Sequence, residues 1–473
     1  MKIFKRILLF IWHLIKIAAC VVLIVGTFYY GYNYLNKLFR TPDANYGDSF
    51  HNMPEDSVDV LVLGSSHCQY SFSPTFFYED TGLYSYVLGS AFQPMKVSYQ
   101  MLREALKTQS PKVVLLEAYT ATLDEEEVSD SRYVLAEYQM TGEEKYNTID
   151  FLPEDKRDTY KNEFINNHNN WRTLDSLDDL FYVDKSIDAA FGYVENYVYL
   201  PVENYWYSNK YSEDLDVSLR DDDLKALNDI YDLCKEENIT LLLYMVPMDN
   251  VSQMAQSLRN KVWQWADEHE VVYLDLLAND EKLDIRSAIH HDGYHAFING
   301  ASYISDYLAD YISNNYNFDN HKDNVYLDEL YIKNGGYLGL EALRAEYNPY
   351  KYMQRIISYP YTVVVKYSGT YENENIREYL NKMGLNINEG EKTFAVISNG
   401  EVVSYNNGYL EYELDGHNIR VDDYNISFDD NNFECNELLS FVIIDKNFDG
   451  STKKVIDYLD GKPWEYGHDF YYN

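Results

Sequence analysis

Cysteine is scarce in this chain. There are four in 473 residues, at positions 20, 68, 234 and 435. They are far apart, with no Cys-x-x-Cys pair and no Cys/His spacing of a metal site, so neither a disulfide framework nor a structural metal is expected. Positive charge is also in short supply, with 39 Lys and Arg against 77 Asp and Glu for a formal net charge of −38. A surface of that sign repels nucleic acid and anionic lipid, which excludes both as partners of the bulk of the chain. Charge is absent altogether from Ile17 to Asn36. An uncharged, mostly apolar run of about 20 residues is what a membrane-spanning helix needs.

What is abundant points the same way. Hydrophobic residues make up 46%, enough for ordinary cores, and the length calls for two or three domains. The 49 tyrosines, with many Asn and Asp, suit a surface that meets sugars, since flat rings stack on sugar faces and amides bond hydroxyls. Base bias in the coding sequence gives the same composition.

Lys2, Lys5, Arg6 and Lys16 precede the apolar run and only Lys37 and Arg40 follow it. That asymmetry puts the N-terminus in the cytoplasm and the remainder outside. Phe28, Tyr29, Tyr30, Tyr32 and Tyr34 would form the outer aromatic belt. A cleaved signal peptide is the alternative, although no small-x-small site follows the apolar core. Residues 1–40 are thus read as cytoplasmic tip and anchor, and the polar 41–57 as a linker.

From residue 58, short continuous apolar runs alternate with helical periodicity. Strands are expected at Val58–Gly64, Ser85–Gly89, Lys112–Tyr119, Ile239–Pro247 and Val271–Leu276. Helices are expected at Pro74–Asp80, Pro94–Thr108, Asp222–Glu237 and Ser257–Glu268. This alternation predicts an α/β domain over 58–322, a parallel sheet in a three-layer sandwich. Sites in such sheets form at the carboxyl ends of strands.

Two segments fall there. LGSSHCQYS closes the first strand, where Gly64 permits a sharp turn that exposes a serine and aims new helical N–H groups at what it attacks. A plain turn with Ser65 as N-cap would read the same. HHDGYHAF follows the fifth strand, and Asp292 stands three positions before His295. A serine hydroxyl needs an imidazole base, and a carboxylate on the other ring nitrogen fixes its tautomer. His290 and His291 are adjacent and so point apart, and no second ligand group accompanies them. Neither metal nor cofactor is expected.

Taken together, Gly64-Ser65-Ser66, Gly89 in SYVLGSAFQP, and Asp292 with His295 resemble the blocks of the SGNH/GDSL hydrolases, over roughly Val58 to Ile312. The Gly-Ser-Ser form is similar to a membrane-anchored branch that includes the D-alanyl transfer protein of teichoic acids and proteins encoded with surface-polysaccharide genes. The resemblance implies a flavodoxin-like SGNH domain with Ser66 as nucleophile, His295 as base and Asp292 as its orienting carboxylate. It implies an oxyanion hole on the backbone N–H groups of Ser66 and Gly89. It also implies ester-linked acyl, above all acetyl, groups of a cell-surface or exported polysaccharide as substrate. Two departures stand out. Val87 replaces an asparagine of the branch, and the Gly-x-Asn-Asp block is absent, with LLEAYTATLD, including Glu117 and Tyr119, in its place. The other reading is therefore an inactive SGNH-like domain that binds polysaccharide or scaffolds an envelope-synthesis complex. A D-alanyl-transfer role would need a carrier-protein partner.

Beside the blocks, His67 is expected to shape the pocket, and Cys68 is a second nucleophile to consider. A helical insertion at about 123–219 is expected to form a lid or wall, with His168, Trp171 and Arg172 as candidate substrate contacts. From about 325 to 473, strands at Tyr361–Gly369 and Lys392–Tyr405, the latter a hairpin turning at Asn399-Gly400, enclose a helix at Glu374–Met383. This predicts a small α+β or β-rich module that faintly resembles interleukin-like domains, some of which are thought to bind carbohydrate. DKNFDG at 445–450 copies the start of a calcium loop, but Ile456 occupies the closing position, so a hairpin turn is expected.

Overall fold

The structure, a computed structural model, describes residues 2–38, 49–123, 140–161, 187–195, 214–248, 251–276, 278, 293–318, 324–346, 349–358, 361–369, 374–388, 390–435, 439–444, 451–456, 458–459 and 462–463. Helix α1 (Lys2–Leu38) contains the uncharged run. Its segment Phe4–Leu35 is long and apolar enough to cross a bilayer.

Five short strands follow: β1 (Val60–Gly64), β2 (Ser85–Gly89), β3 (Val113–Glu117), β4 (Thr240–Met245) and β5 (Val272–Asp275). They form one sheet in the order β2-β1-β3-β4-β5. All four pairings are parallel, with Gly64 level with Gly89 and Leu63 level with Leu116. The first three strands are buried at every position, as a sheet covered on both faces requires. The order is flavodoxin-like, with its switch point at the carboxyl ends of β1 and β3.

Right-handed crossovers decide which helices share a face. On one side α2 (Ser66–Ser71) and α3 (Pro74–Thr81) lie with α9 (Ile298–Asn315) and α10 (Val325–Ala345). On the other, α4 (Met95–Ala105) packs on α7 (Asp221–Glu236), and α8 (Gln253–Glu268) carries the chain into β5. Of the insertion, the described part holds two helices, α5 (Gly142–Ile149) and α6 (Glu154–Lys161). It also holds residues 187–195, which run along the free edge of β2. Val87 N–H on β2 donates to Phe191 O at 2.9 Å, and Val194 N–H donates to Gln69 O on α2 at 2.8 Å. Gly192, at φ +83°, makes that approach possible: a Cβ there would lie 2.1 Å from Val87 O. The exposed edge is thereby covered.

Helix α10 belongs with this core, through buried Leu327 and Tyr331. The next segments join the two halves of the chain. Glu346 accepts hydrogen bonds from Asn299 Nδ2, at 3.5 Å, and from the Tyr303 hydroxyl, both on α9. Arg355, on α11 (Pro349–Ser358), donates to Ser302 Oγ and lies 5.1 Å from the ring centre of Phe76. Arg355 is 4% exposed, so these contacts stand where water would otherwise surround its charge.

Beyond it lies an antiparallel sheet in the order β14-β13-β6-β7-β8, built from β6 (Thr362–Tyr367), β7 (Thr393–Ser398), β8 (Glu401–Asn406), β13 (Leu439–Ile444) and β14 (Ser451–Ile456). Its two faces follow the period of two. Val363, Val365, Phe441 and Ile443 face α11 and α12 (Glu374–Lys382). Val364, Val442 and Ile444 face a second sheet of β9 (Leu410–Leu414), β10 (His417–Val421), β11 (Asn425–Phe428) and β12 (Asn431–Glu434). The hairpin turn at Asn399-Gly400 has φ +51° and +75°, the positive pair a two-residue turn demands. The 445–450 segment lies outside the described residues, but its flanks are paired strands, with Ile444 opposite Ser451.

Candidate active site

Ser66 is the first residue of α2, directly past the carboxyl end of β1 and half-buried. Ser65 caps the helix, its Oγ accepting from His67 N–H at 3.1 Å. The capping reading therefore falls on Ser65, and it leaves the Ser66 hydroxyl out of the cap. Gly64 makes the turn at φ +153°, and a Cβ there would be 2.5 Å from Glu117 Cβ.

From the far side of the sheet order, the stretch between β5 and α9 returns His295 to the same place. His295 Nε2 is 2.9 Å from Ser66 Oγ, across 229 residues of sequence. With the ring proton on Nδ1, the serine hydroxyl donates to Nε2, the arrangement a general base needs. The imidazole is walled by rings: Tyr70 at 4.7 Å and, edge-on, His67 at 5.4 Å. His67 is itself stacked on Tyr119 at 4.0 Å and is 2% exposed, so it forms wall rather than open surface. Tyr294 and Phe92 stand at the rim, 42% and 38% exposed. Phe92 holds a left-handed backbone, φ +51°, unusual for a bulky residue.

Gly89 ends β2 beside Gly64. A Cβ at Gly89 would meet Cys68 Sγ at 2.7 Å, Gln69 Cγ at 2.8 Å and Ser65 O at 3.1 Å, so the close approach of β2 to the serine turn requires glycine. Cys68 is fully buried, its Sγ 3.0 Å from Ser65 O. Burial first, and the nearby Glu117 second, push its thiol well up. A thiol held neutral and enclosed is not a nucleophile, which removes it from consideration.

Sequence reasoning named Glu117, the last of β3 and fully buried, only as standing where an expected block is missing, and gave it no role. Its Oε2 accepts from Ser65 Oγ at 2.7 Å and from Ser65 N–H at 3.3 Å. Its Oε1 accepts from Tyr119 N–H at 2.6 Å. Burial pushes its carboxyl up to about 7, against the three donors that favour the charged form. The available signal was a lone carboxylate closing the otherwise apolar run VVLLE. Asp292, His168, Trp171 and Arg172 lie outside the described residues, as do His290 and His291.

No protein-family profile matches the chain, and no curated protein does. Among solved structures, it is similar to a proposed acylhydrolase from Bacteroides fragilis, at 12% identity and TM-score 0.29, over 58% of this chain and 99% of that one. It is also similar to a GDSL-like lipase from Bacteroides thetaiotaomicron, at 12% identity and TM-score 0.28, over 57% and 98%. A third is an acetyl xylan esterase from the rumen bacterium Butyrivibrio proteoclasticus, at 10% identity and TM-score 0.23, over 55% and 65%. Likeness at this level transfers neither residues nor activity, so the chemistry rests on the site's own geometry.

Proposed function

We propose that the protein is a membrane-anchored serine esterase or acyltransferase of the SGNH type, acting outside the cytoplasm on acyl esters of a glycan. The observation that carries this reading is the contact of Ser66 Oγ with His295 Nε2, 2.9 Å, at the carboxyl end of a parallel sheet. Ser66 Oγ attacks the acyl carbonyl carbon and its proton passes to His295 Nε2. The tetrahedral oxyanion is met by backbone N–H groups of Ser66 and Gly89. Collapse breaks the ester C–O bond, and the departing alkoxide takes the proton from Nε2. Water, or another sugar hydroxyl, then gives its proton to Nε2 and attacks the acyl-enzyme. The second collapse returns the proton to Ser66 Oγ. Asp292 is assigned the Nδ1 side of His295. Acetyl esters of a cell-surface or exported polysaccharide suit an anchored chain with this charge, and envelope-assembly proteins are its natural neighbours.

One observation favours the binding or scaffold reading. Where a third donor to the oxyanion would come from β3, the structure has the carboxyl of Glu117, which accepts three hydrogen bonds. Full-length protein in detergent, treated with a fluorophosphonate probe and p-nitrophenyl acetate, separates the two. Labelling and cleavage that vanish in Ser66→Ala establish the nucleophile. Wild type that neither labels nor cleaves leaves the scaffold reading.

A further inference from the structure

The chemistry above makes no use of Glu117, although its carboxyl lies directly under the turn that carries Ser66. We infer that Glu117 is a positioning residue whose carboxylate, acting through Ser65, fixes the serine turn in its reactive geometry. The inference rests on the reading of Ser66 as nucleophile.

Among the described residues, three donors converge on the carboxyl. Oε2 takes the Ser65 hydroxyl at 2.7 Å and the Ser65 N–H at 3.3 Å, and Oε1 takes the Tyr119 N–H at 2.6 Å. The Ser65 hydroxyl, having given its proton to Glu117, turns a lone pair to His67 N–H at 3.1 Å. A continuous chain therefore runs from the end of β3 through Ser65 into the first turn of α2, and Ser66 sits between its two attachment points. A neutral Glu117 rearranges this chain. A proton on Oε1 opposes the Tyr119 N–H, while a proton on Oε2 opposes the Ser65 N–H and turns the Ser65 hydroxyl from donor to acceptor, so that its own proton needs another partner. Ionisation also fixes which way the Ser65 hydroxyl points. A misplacement of about 1 Å at a reacting centre can cost on the order of 10²-fold in rate.

A negative charge under a developing oxyanion opposes it, so the role assigned to the carboxylate is geometric. The other ionisable groups set against it are Cys68 on α2, Tyr244 on β4 and Tyr273 on β5, the last beside the Arg259–Asp275 pair at 2.9 Å. Burial pushes that thiol and both phenols well up, so near neutral pH they stay uncharged. Glu117, pushed up to about 7, is the group of this set that ionises there. His67, itself buried, and His295 lie against the same turn.

The test compares full-length wild type, Glu117→Gln, Glu117→Asp, Ser65→Ala and Ser66→Ala in detergent, from about pH 5 to 9. It reads fluorophosphonate labelling rate, and kcat and KM on p-nitrophenyl acetate. Expected in Glu117→Gln is a kcat lower by on the order of ten- to a hundred-fold with KM little changed. The part of the rise in kcat through about pH 7 that wild type owes to Glu117 is expected to be lost, while the need for an unprotonated base remains. Glu117→Asp keeps a carboxylate and is expected to restore that part. Ser65→Ala cuts the chain while leaving Glu117 in place, so it tests the idea even where Glu117→Gln does not fold, and a several-fold fall in kcat is expected. Labelled wild type and silent Ser66→Ala, with Glu117→Gln and Ser65→Ala at wild-type kcat and pH profile, overturn the positioning role alone. A Glu117→Gln enzyme faster than wild type also overturns it, in favour of simple charge repulsion. Wild type that does not label overturns the nucleophile reading and this inference with it.

Discussion

Phe191 and Tyr331 stack face to face, ring centres 3.8 Å apart and 12° from parallel, over the outer edge of β2. One comes from the insertion and the other from α10, so two stretches distant in sequence close the same strand. The Tyr331 hydroxyl also donates to Ser85 O at 2.5 Å and accepts from Ser85 N–H at 3.1 Å. Tyr331→Phe keeps the stack and strands both backbone groups. A loss of about 1–3 kcal/mol is expected, read as a lower urea midpoint. An unchanged midpoint would show that the edge is satisfied in another way.

Ser66→Ala and His295→Ala act on one proton transfer, and their effects are expected not to add. Each alone should remove esterase activity by several orders of magnitude, toward the ~10⁶-fold seen when such a unit is broken, and the double variant should be no worse. Additive losses on p-nitrophenyl acetate would mean that the 2.9 Å contact is not the working one.

Gly89→Ala drives a methyl into Cys68 Sγ and Gln69 Cγ. Overpacking of this kind costs about 1–3 kcal/mol, and the shift falls on the helix that carries Ser66. Loss of both thermal stability and fluorophosphonate labelling is expected. Cys68→Ala in the same chain opens space for the methyl and should restore part of each.

Burial raises Glu117 from an unfolded-state value of 4.5 to about 7, so the folded protein holds its proton more tightly than the unfolded chain. Its contribution is present in full below pH 4.5 and is lost as pH rises to about 7. The size is roughly 3 kcal/mol at 1.36 kcal/mol per unit. Denaturation of wild type and Glu117→Gln across that window checks it. The difference between their stabilities should change with pH, and parallel curves would remove the claim.

Helix α1 makes the membrane assignment testable by fractionation. Full-length protein should stay with membranes through an alkaline wash, and a chain begun at residue 41 should be soluble. External protease on intact cells should degrade the bulk of the full-length chain and leave an N-terminal cytoplasmic tag intact. Loss of that tag during export would indicate cleavage instead.

The parallel sheet was legible because its strands are short apolar runs between helical periods, and VLVLG and SYVLG need no context to be read. Helix α8 begins at Gln253 instead of the expected Ser257, because Ser252 caps it by accepting from Ala255 N–H at 3.0 Å. Helix α10 went unread, and its glycines are the reason. Gly335 and Gly339 look like breaks, but a Cβ there would meet Glu79 Oε1 at 2.7 Å and Tyr361 Oη at 2.5 Å. They serve tertiary contact at a cost in helix propensity that no local pattern displays. The 2.9 Å serine–histidine contact was readable as chain order plus strand-end placement. The role of Glu117 was not, since a carboxylate at a strand end looks the same whether it faces water or supports a turn.

Arg355 and Glu346 grip α9 at Ser302, Asn299 and Tyr303, within eight residues of His295. The boundary between the two halves of the chain is therefore not a place where the gene can be cut and rejoined freely. A graft that exchanged everything after residue 345 for an unrelated module would leave the histidine's helix without its brace, and a viable chimera would have to bring its own arginine and glutamate to the same spots.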